Sequence, residues 1–167
     1  MKIKEVEKKL KIKIKKNINV LGIDTASRTG WATIKTNSKN LEIDYGYIDV
    51  RKLKSLNEKY DAMINSFGSL IKPKQNKVVI EDTFFGPNVY TLKLLSRIGM
   101  IVYVLARLKK IKNVFFINAS SARSRLNFNS RAKKEEIHKE FRRRIKIKIL
   151  DKDIMDAIIL ALNGVLI

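Results

Sequence analysis

The chain has no cysteine, one histidine (His138) and only 16 acidic residues among 167. Without cysteine there is no disulfide framework and no Cys-ligated zinc or iron–sulfur site. A single histidine argues against a His-dependent triad or a multi-His metal centre. Any metal would be held mainly by carboxylates, which favour hard ions such as magnesium or manganese. Long apolar runs are missing too. The most apolar stretches, 98–108 and 154–167, fall short of the ~20 residues of a membrane span, and Asp156 lies inside the second. No apolar segment of signal-peptide length follows the basic N-terminus. We therefore expect a cytoplasmic protein with no membrane partner and no small-molecule cofactor.

What the chain has in excess is positive charge. Its 36 Lys and Arg leave a net +20 and a pI near 10.2. A folded body of this size with that charge repels itself unless a polyanion neutralises it, so nucleic acid is the leading partner and an anionic membrane surface the next. The length and a hydrophobic fraction of 45% suit one domain with a packed core.

Two regions are expected: a basic arm over 1–17 and a domain over 18–167. The arm holds eight Lys against two Glu. It reads either as a solvated, partly mobile segment or as a phosphate-contacting one. Beyond it, 19–25 is an apolar run closing in Asp24, and Thr29-Gly30 reads as a turn. Residues 31–36 and 41–50 alternate like strands, so the three form an antiparallel meander. A helical pattern starts at Ser55 and ends near Gly68 and Pro73. Residues 78–81 form a buried strand ending in Glu81. Then come a Gly-Pro loop, a long apolar helix over 90–110, a strand over 114–118, a basic loop over 119–131, and helices over 132–144 and 152–162. The order predicts a three-layer α/β sheet sandwich.

Four acids stand apart from the general charge. Asp24 and Glu81 close two buried strands, and Asp153 and Asp156 share one face of the last helix. Singly, such residues are commonly turn or cap residues, and Asp151 reads as the N-cap of that helix. An acid on an apolar helix face, like Asp156, needs a partner or an ion. If the two strands are neighbours, all four acids can converge. Four carboxylates together repel unless cations are bound. The usual solution is one or two magnesium ions about 4 Å apart, which serve phosphodiester hydrolysis without a histidine base.

These segments resemble a family. LGIDTASRTGWATI at 21–34 is similar to the first hairpin of the RuvC-type Holliday junction resolvases, VVIEDTFF at 78–85 to their strand-end Glu followed by an aromatic, and DIMDAIILAL at 153–162 to their Asp-x-x-Asp-Ala helix. The resemblance spans about 19–162. It implies an RNase H-like three-layer fold, a five-stranded mixed sheet flanked by helices. It also implies Asp24, Glu81, Asp153 and Asp156 as catalytic metal ligands for two Mg2+ per site, with Mn2+ able to substitute. The 17-residue arm, Arg123 in place of the more usual Lys, and the loop at 82–85 depart from the family pattern.

Between 107 and 148 lie fifteen bases and three acids. Arg123, Arg125, Arg131, Lys133 and Lys134 cluster before and at a helix N-terminus, and 142–148 extend the stripe. The alternative is a solvated basic helix. The resemblance places Arg123 and Lys134 at phosphates near the cut. It makes Phe84 or Phe85 a wedge at the junction centre, although either ring could instead pack on its own sheet and Tyr90 could serve. It also implies a homodimer through the 90–107 helix, although intrachain packing could cover that face. The expected function is resolution of four-way junctions by paired symmetric nicks. Alternatives are a broader branched-DNA endonuclease and a catalytically inactive nucleic-acid-binding module.

Overall fold

A computed structural model describes residues 1–82, 89–129 and 131–166. Its elements are α1 (Ile3–Leu10), β1 (Asn19–Asp24), β2 (Arg28–Thr36), β3 (Leu41–Asp49), α2 (Leu56–Leu70), β4 (Lys77–Glu81), α3 (Val89–Leu108), β5 (Asn113–Ile117), α4 (Ala119–Arg125), α5 (Lys134–Ile145) and α6 (Lys152–Gly164). The sheet runs β3-β2-β1-β4-β5, with β1, β2 and β3 antiparallel and β1, β4 and β5 parallel. This is the expected RNase H-like arrangement.

Alternation along the two central strands divides the core into layers. Leu21, Ile23, Val78 and Ile80 face α2 and α3. Val20 and Val79 face the opposite layer, where α6 lies. The α6 backbone comes so close to β1 that a Cβ on Gly22 would stand 2.4 Å from the Ala161 nitrogen and 2.5 Å from the Ala157 oxygen. Helix α6 has residues 154 to 164 all buried, which is why its apolar pattern shows no polar face.

Local chemistry sets the element ends. Ser55 accepts from the Glu58 amide and Glu58 reaches back to the Ser55 amide, a reciprocal cap at the start of α2. Asp151 accepts from the Asp153 and Ile154 amides and caps α6, as its position predicted.

Four expectations change. Residues 1–17 are no loose arm. Ile3, Val6, Leu10 and Ile14 are buried in the same core as α5 and α6, and Lys15 N–H donates to the Val165 carbonyl. The helix follows the 3–4 spacing of Ile3, Val6 and Leu10, and Glu5 pairs with Lys9 along its outer side. Thr29 and Gly30 lie inside β2 rather than in a turn; the Thr29 hydroxyl instead ties down the bend at Ala26. The basic loop after β5 contains a short helix, α4, capped by Asn118. Helix α3 is 20 residues long, the one described helix that could cross a membrane by length and composition. Its Ile98, Gly99, Val102 and Ala106 are buried against the sheet layer instead.

Two glycines give opposite expectations. Gly22→Ala should destabilise the fold by about 1–3 kcal/mol, because backbone atoms must move to admit the methyl. Gly68, in α2, has nothing within 4 Å of an added Cβ. Gly68→Ala should stabilise by about 0.5–1 kcal/mol through helix propensity. Urea unfolding of both variants checks the pair; equal effects would contradict the packing.

Candidate metal and DNA site

The last register pair between β1 and β4 is Ile23 with Ile80. One residue further on each strand stand Asp24 and Glu81, both turned toward the α6 layer. Asp24 is only 7% exposed and hydrogen-bonds Glu81 side chain to side chain. Burial pushes the Asp24 carboxyl well above its ordinary range, and the hydrogen bond and charge of Glu81 and the charge of Asp156 add to the push. The Lys134 ammonium opposes it.

Asp156 projects from α6 into the same place. Burial works against its ionised form. The hydrogen bond from His138 and the Lys134 ammonium outweigh burial and hold its carboxyl below the ordinary value. An ionised carboxylate can only accept, so His138 donates from Nε2 to Oδ1 across 2.9 Å. Lys134 pairs with Oδ2, and the Arg123 guanidinium stands 3.5 Å from Oδ1. Burial lowers the Lys134 ammonium, but the Asp156 charge and hydrogen bond raise it further, so the net shift is upward. A small recess lined by Glu81, Ala122, Arg123 and Asp156 opens beside these groups.

Asp153 is held elsewhere. Its Oδ2 pairs with Arg28 Nη1 at 2.5 Å, while Arg28 Nη2 pairs with Asp151 Oδ2 at 2.5 Å. The guanidinium lies 3.9 Å from the Tyr47 ring centroid. The hydrogen bond from Arg28 draws the Asp151 carboxyl below its usual range. The fold thus brings Asp24, Glu81 and Asp156 together and leaves Asp153 clasped by an arginine at the edge of the group. Among the described residues, no three Asp, Glu or His side chains already form a metal cradle. The donor chemistry nonetheless fits a divalent ion. Three carboxyls lie near one another, burial disfavours the ionised form of one of them, Asp24, and a lysine supplies opposing charge.

Arg125, Arg131 and Lys133 are exposed, and Lys133 is the N-cap residue of α5, the helix that carries Lys134. Phe84 and Phe85 lie outside the described residues. Tyr90, at the start of α3, is 61% exposed. Sequence reasoning used His138 only to exclude chemistries and gave Arg28 no role. The four-residue spacing of Lys134 and His138, which sets both on one face of α5, was the available signal.

Comparison with known proteins bears on this arrangement. The family described as Crossover junction endodeoxyribonuclease RuvC matches residues 20–163. A solved structure of T. thermophilus RuvC in complex with a Holliday junction substrate superposes with a TM-score of 0.74. It is 17% identical, and the match covers 87% of this chain and 91% of that one. A second Thermus thermophilus RuvC structure gives a TM-score of 0.68 at 17% identity, covering 87% and 92%. No curated protein sequence matches the chain.

The Asp24 shift carries a sign. The Asp24 carboxyl binds its proton more tightly in the folded state than in the unfolded chain. This group's contribution to stability is therefore full below its unfolded value and is lost as pH climbs to its folded value. Asp24→Asn keeps the shape and removes the charge. It should raise the thermal midpoint of the metal-free protein at neutral pH by a few degrees, since about 1 kcal/mol is worth roughly 2–4 °C at this size. Calorimetry between pH 5 and 9 without divalent ions checks this. A variant less stable than wild type throughout would contradict it.

Proposed function

The chain belongs to the crossover junction endodeoxyribonuclease RuvC family, and from that premise we propose that it resolves four-way DNA junctions by paired, symmetric, magnesium-dependent nicks. The observation that carries the reading is the convergence of buried Asp24 and half-buried Glu81, at the ends of two paired strands, with buried Asp156 from α6. Asp24, Glu81 and Asp156 would hold the metal, and Asp153 would join them by leaving Arg28. Two magnesium ions bound there would activate water and stabilise the departing 3′-oxygen, with Mn2+ able to replace them.

The protein groups have separate tasks. Water attacks the phosphorus and the P–O3′ bond breaks, leaving a 5′-phosphate and a 3′-hydroxyl. His138 fixes the orientation of Asp156. Lys134 and Arg123 neutralise charge beside the scissile phosphate. Arg125, Arg131 and Lys133 hold flanking phosphates and set the strand's register. One of Phe84, Phe85 or Tyr90 stacks on an unpaired base at the junction centre, an interaction worth roughly 1–3 kcal/mol.

A second copy of the chain completes the account. Tyr60, Ile64, Arg97, Met100, Ile101, Val104 and Leu105 line an open apolar groove between α2 and α3. Met100 and Val104 are 50% and 47% exposed. A two-fold pairing through this face would present two sites to a junction with matching symmetry. The enzyme would work in the cytoplasm, on branched DNA.

Purified protein is offered a mobile four-way junction, a linear duplex and an RNA–DNA hybrid, each with magnesium and with EDTA. Ligatable paired nicks in the junction with magnesium alone are expected, and Asp24→Asn should abolish them. Junction binding with no cutting in magnesium or manganese would replace the reading with an inactive binding module. Met100→Glu with Val104→Glu should shift the protein to monomer in sedimentation equilibrium and convert paired nicks to single ones. A wild-type monomer that still cuts in pairs would refute the two-fold arrangement.

A further inference from the structure

Helix α1 lies outside the region that matches the family, which begins at residue 20. Its apolar side is buried and its lysines are turned outward. At its C-terminal end, Lys9 and Lys11 meet Asn127, Arg143 and Arg144 around an open pocket of about 590 Å3. The pocket is built by specific bonds. The Asn127 amide donates to the Leu10 and Lys11 carbonyls at 2.9 and 3.1 Å, capping the end of α1. Arg144 donates to the Asn127 carbonyl at 3.2 Å, pairs with Glu140 and lies over the Phe128 ring. Asn127 and Lys11 both take the left-handed conformation, at φ 58° and 54°.

The local acids are already engaged. Glu5 pairs with Lys9, and Glu140 with Arg144. Lys11 and Arg143 are exposed, and neither has an acidic partner among the described residues. Four cations against two acids leave the pocket with a surplus of two. The Glu5–Lys9 pair is exposed and therefore weak in water, so Lys9 is readily available to another anion. Helix α5 connects this pocket to the acidic cluster. Lys134, at its start, touches Asp156, and Arg143 follows nine residues later, about 14 Å along the axis at 1.5 Å per residue. At 3.4 Å per base pair that is about four base pairs of duplex.

We infer that the Lys9–Lys11–Asn127–Arg143–Arg144 pocket is a second phosphate-binding site, which grips the backbone of a DNA arm about four base pairs from the cut. The inference rests on the junction-cleaving reading for the identity of the DNA, but not for the pocket. An N-terminal segment absent from the family match thereby adds a handhold outside the reacting centre. The contact is to phosphate, so it adds affinity without sequence preference.

The test is fluorescence anisotropy of labelled four-way junctions between 50 and 200 mM salt in EDTA, comparing wild type with Lys9→Gln/Lys11→Gln. One junction has long arms; the other has arms cut to three base pairs. Two lost contacts should reduce the slope of log affinity against log salt by about 1.8 on the long-armed junction and raise Kd severalfold. On the short-armed junction the two proteins should bind alike. Equal slopes on long arms, or equal losses on both junctions, would overturn the pocket. If the double variant fails to match the wild-type thermal midpoint, Arg143→Gln replaces it, with an expected loss of about 0.9 in slope. Cleavage in magnesium separates the two readings. A wild type that cuts junctions while the variant keeps its slope refutes only the pocket. A slope loss on linear duplex in a protein that cuts no junction refutes only the resolvase. A wild type that binds no DNA refutes both.

Discussion

The parallel register of β1 with β4 is the constraint on which the rest of the structure depends. It sets Ile23 beside Ile80, and period-two alternation then sends the next residue of each strand to the opposite layer. That residue is a carboxylic acid in both cases. Gly22 allows α6 to lie directly on β1, and the third acid, Asp156, arrives on that helix. The site is thus a consequence of sheet geometry and one close helix–strand contact, and it would be lost by slipping either strand a single residue.

Such a cluster is unfavourable to folding by itself. Burial raises the proton affinity of the Asp24 carboxyl, and the neighbouring Glu81 and Asp156 add to the rise. The remaining charge is met internally. Lys134, His138 and Arg123 surround Asp156, and Arg28 holds Asp151 and Asp153 in a single fork. A site arranged this way sacrifices stability for function, a recurrent trade at reacting centres. The basic surface beyond it, from Lys134 along α5 to α1, extends the same electrostatic logic outward.

Much of this was legible in the sequence. The strand ends at Asp24 and Glu81 follow from apolar runs that stop at an acid, and the caps at Ser55 and Asp151 follow from their spacing. The mixed sheet follows from three closely spaced strands and then strands separated by helices. Three features were not legible. The 1–17 segment reads as a basic arm because its eight lysines mask Ile3, Val6, Leu10 and Ile14, whose burial depends on a tertiary core that composition does not reveal. Helix α4 is short and carries no apolar stripe, and its cap is a single asparagine. The pairing of Asp153 with Arg28 joins residues 125 apart, a contact that no local pattern encodes. His138 drew attention only for being alone, and its partner is set by the way α5 lies over α6.

The central claim is that Asp24, Glu81 and Asp156 form a divalent-cation site. Its most direct test is calorimetric titration of Mn2+ into the DNA-free protein and into Asp24→Asn. The account predicts saturable binding at about two ions per chain in wild type and its loss in the variant, while the variant stays folded. Unchanged binding in Asp24→Asn, or no binding in either protein, would contradict it.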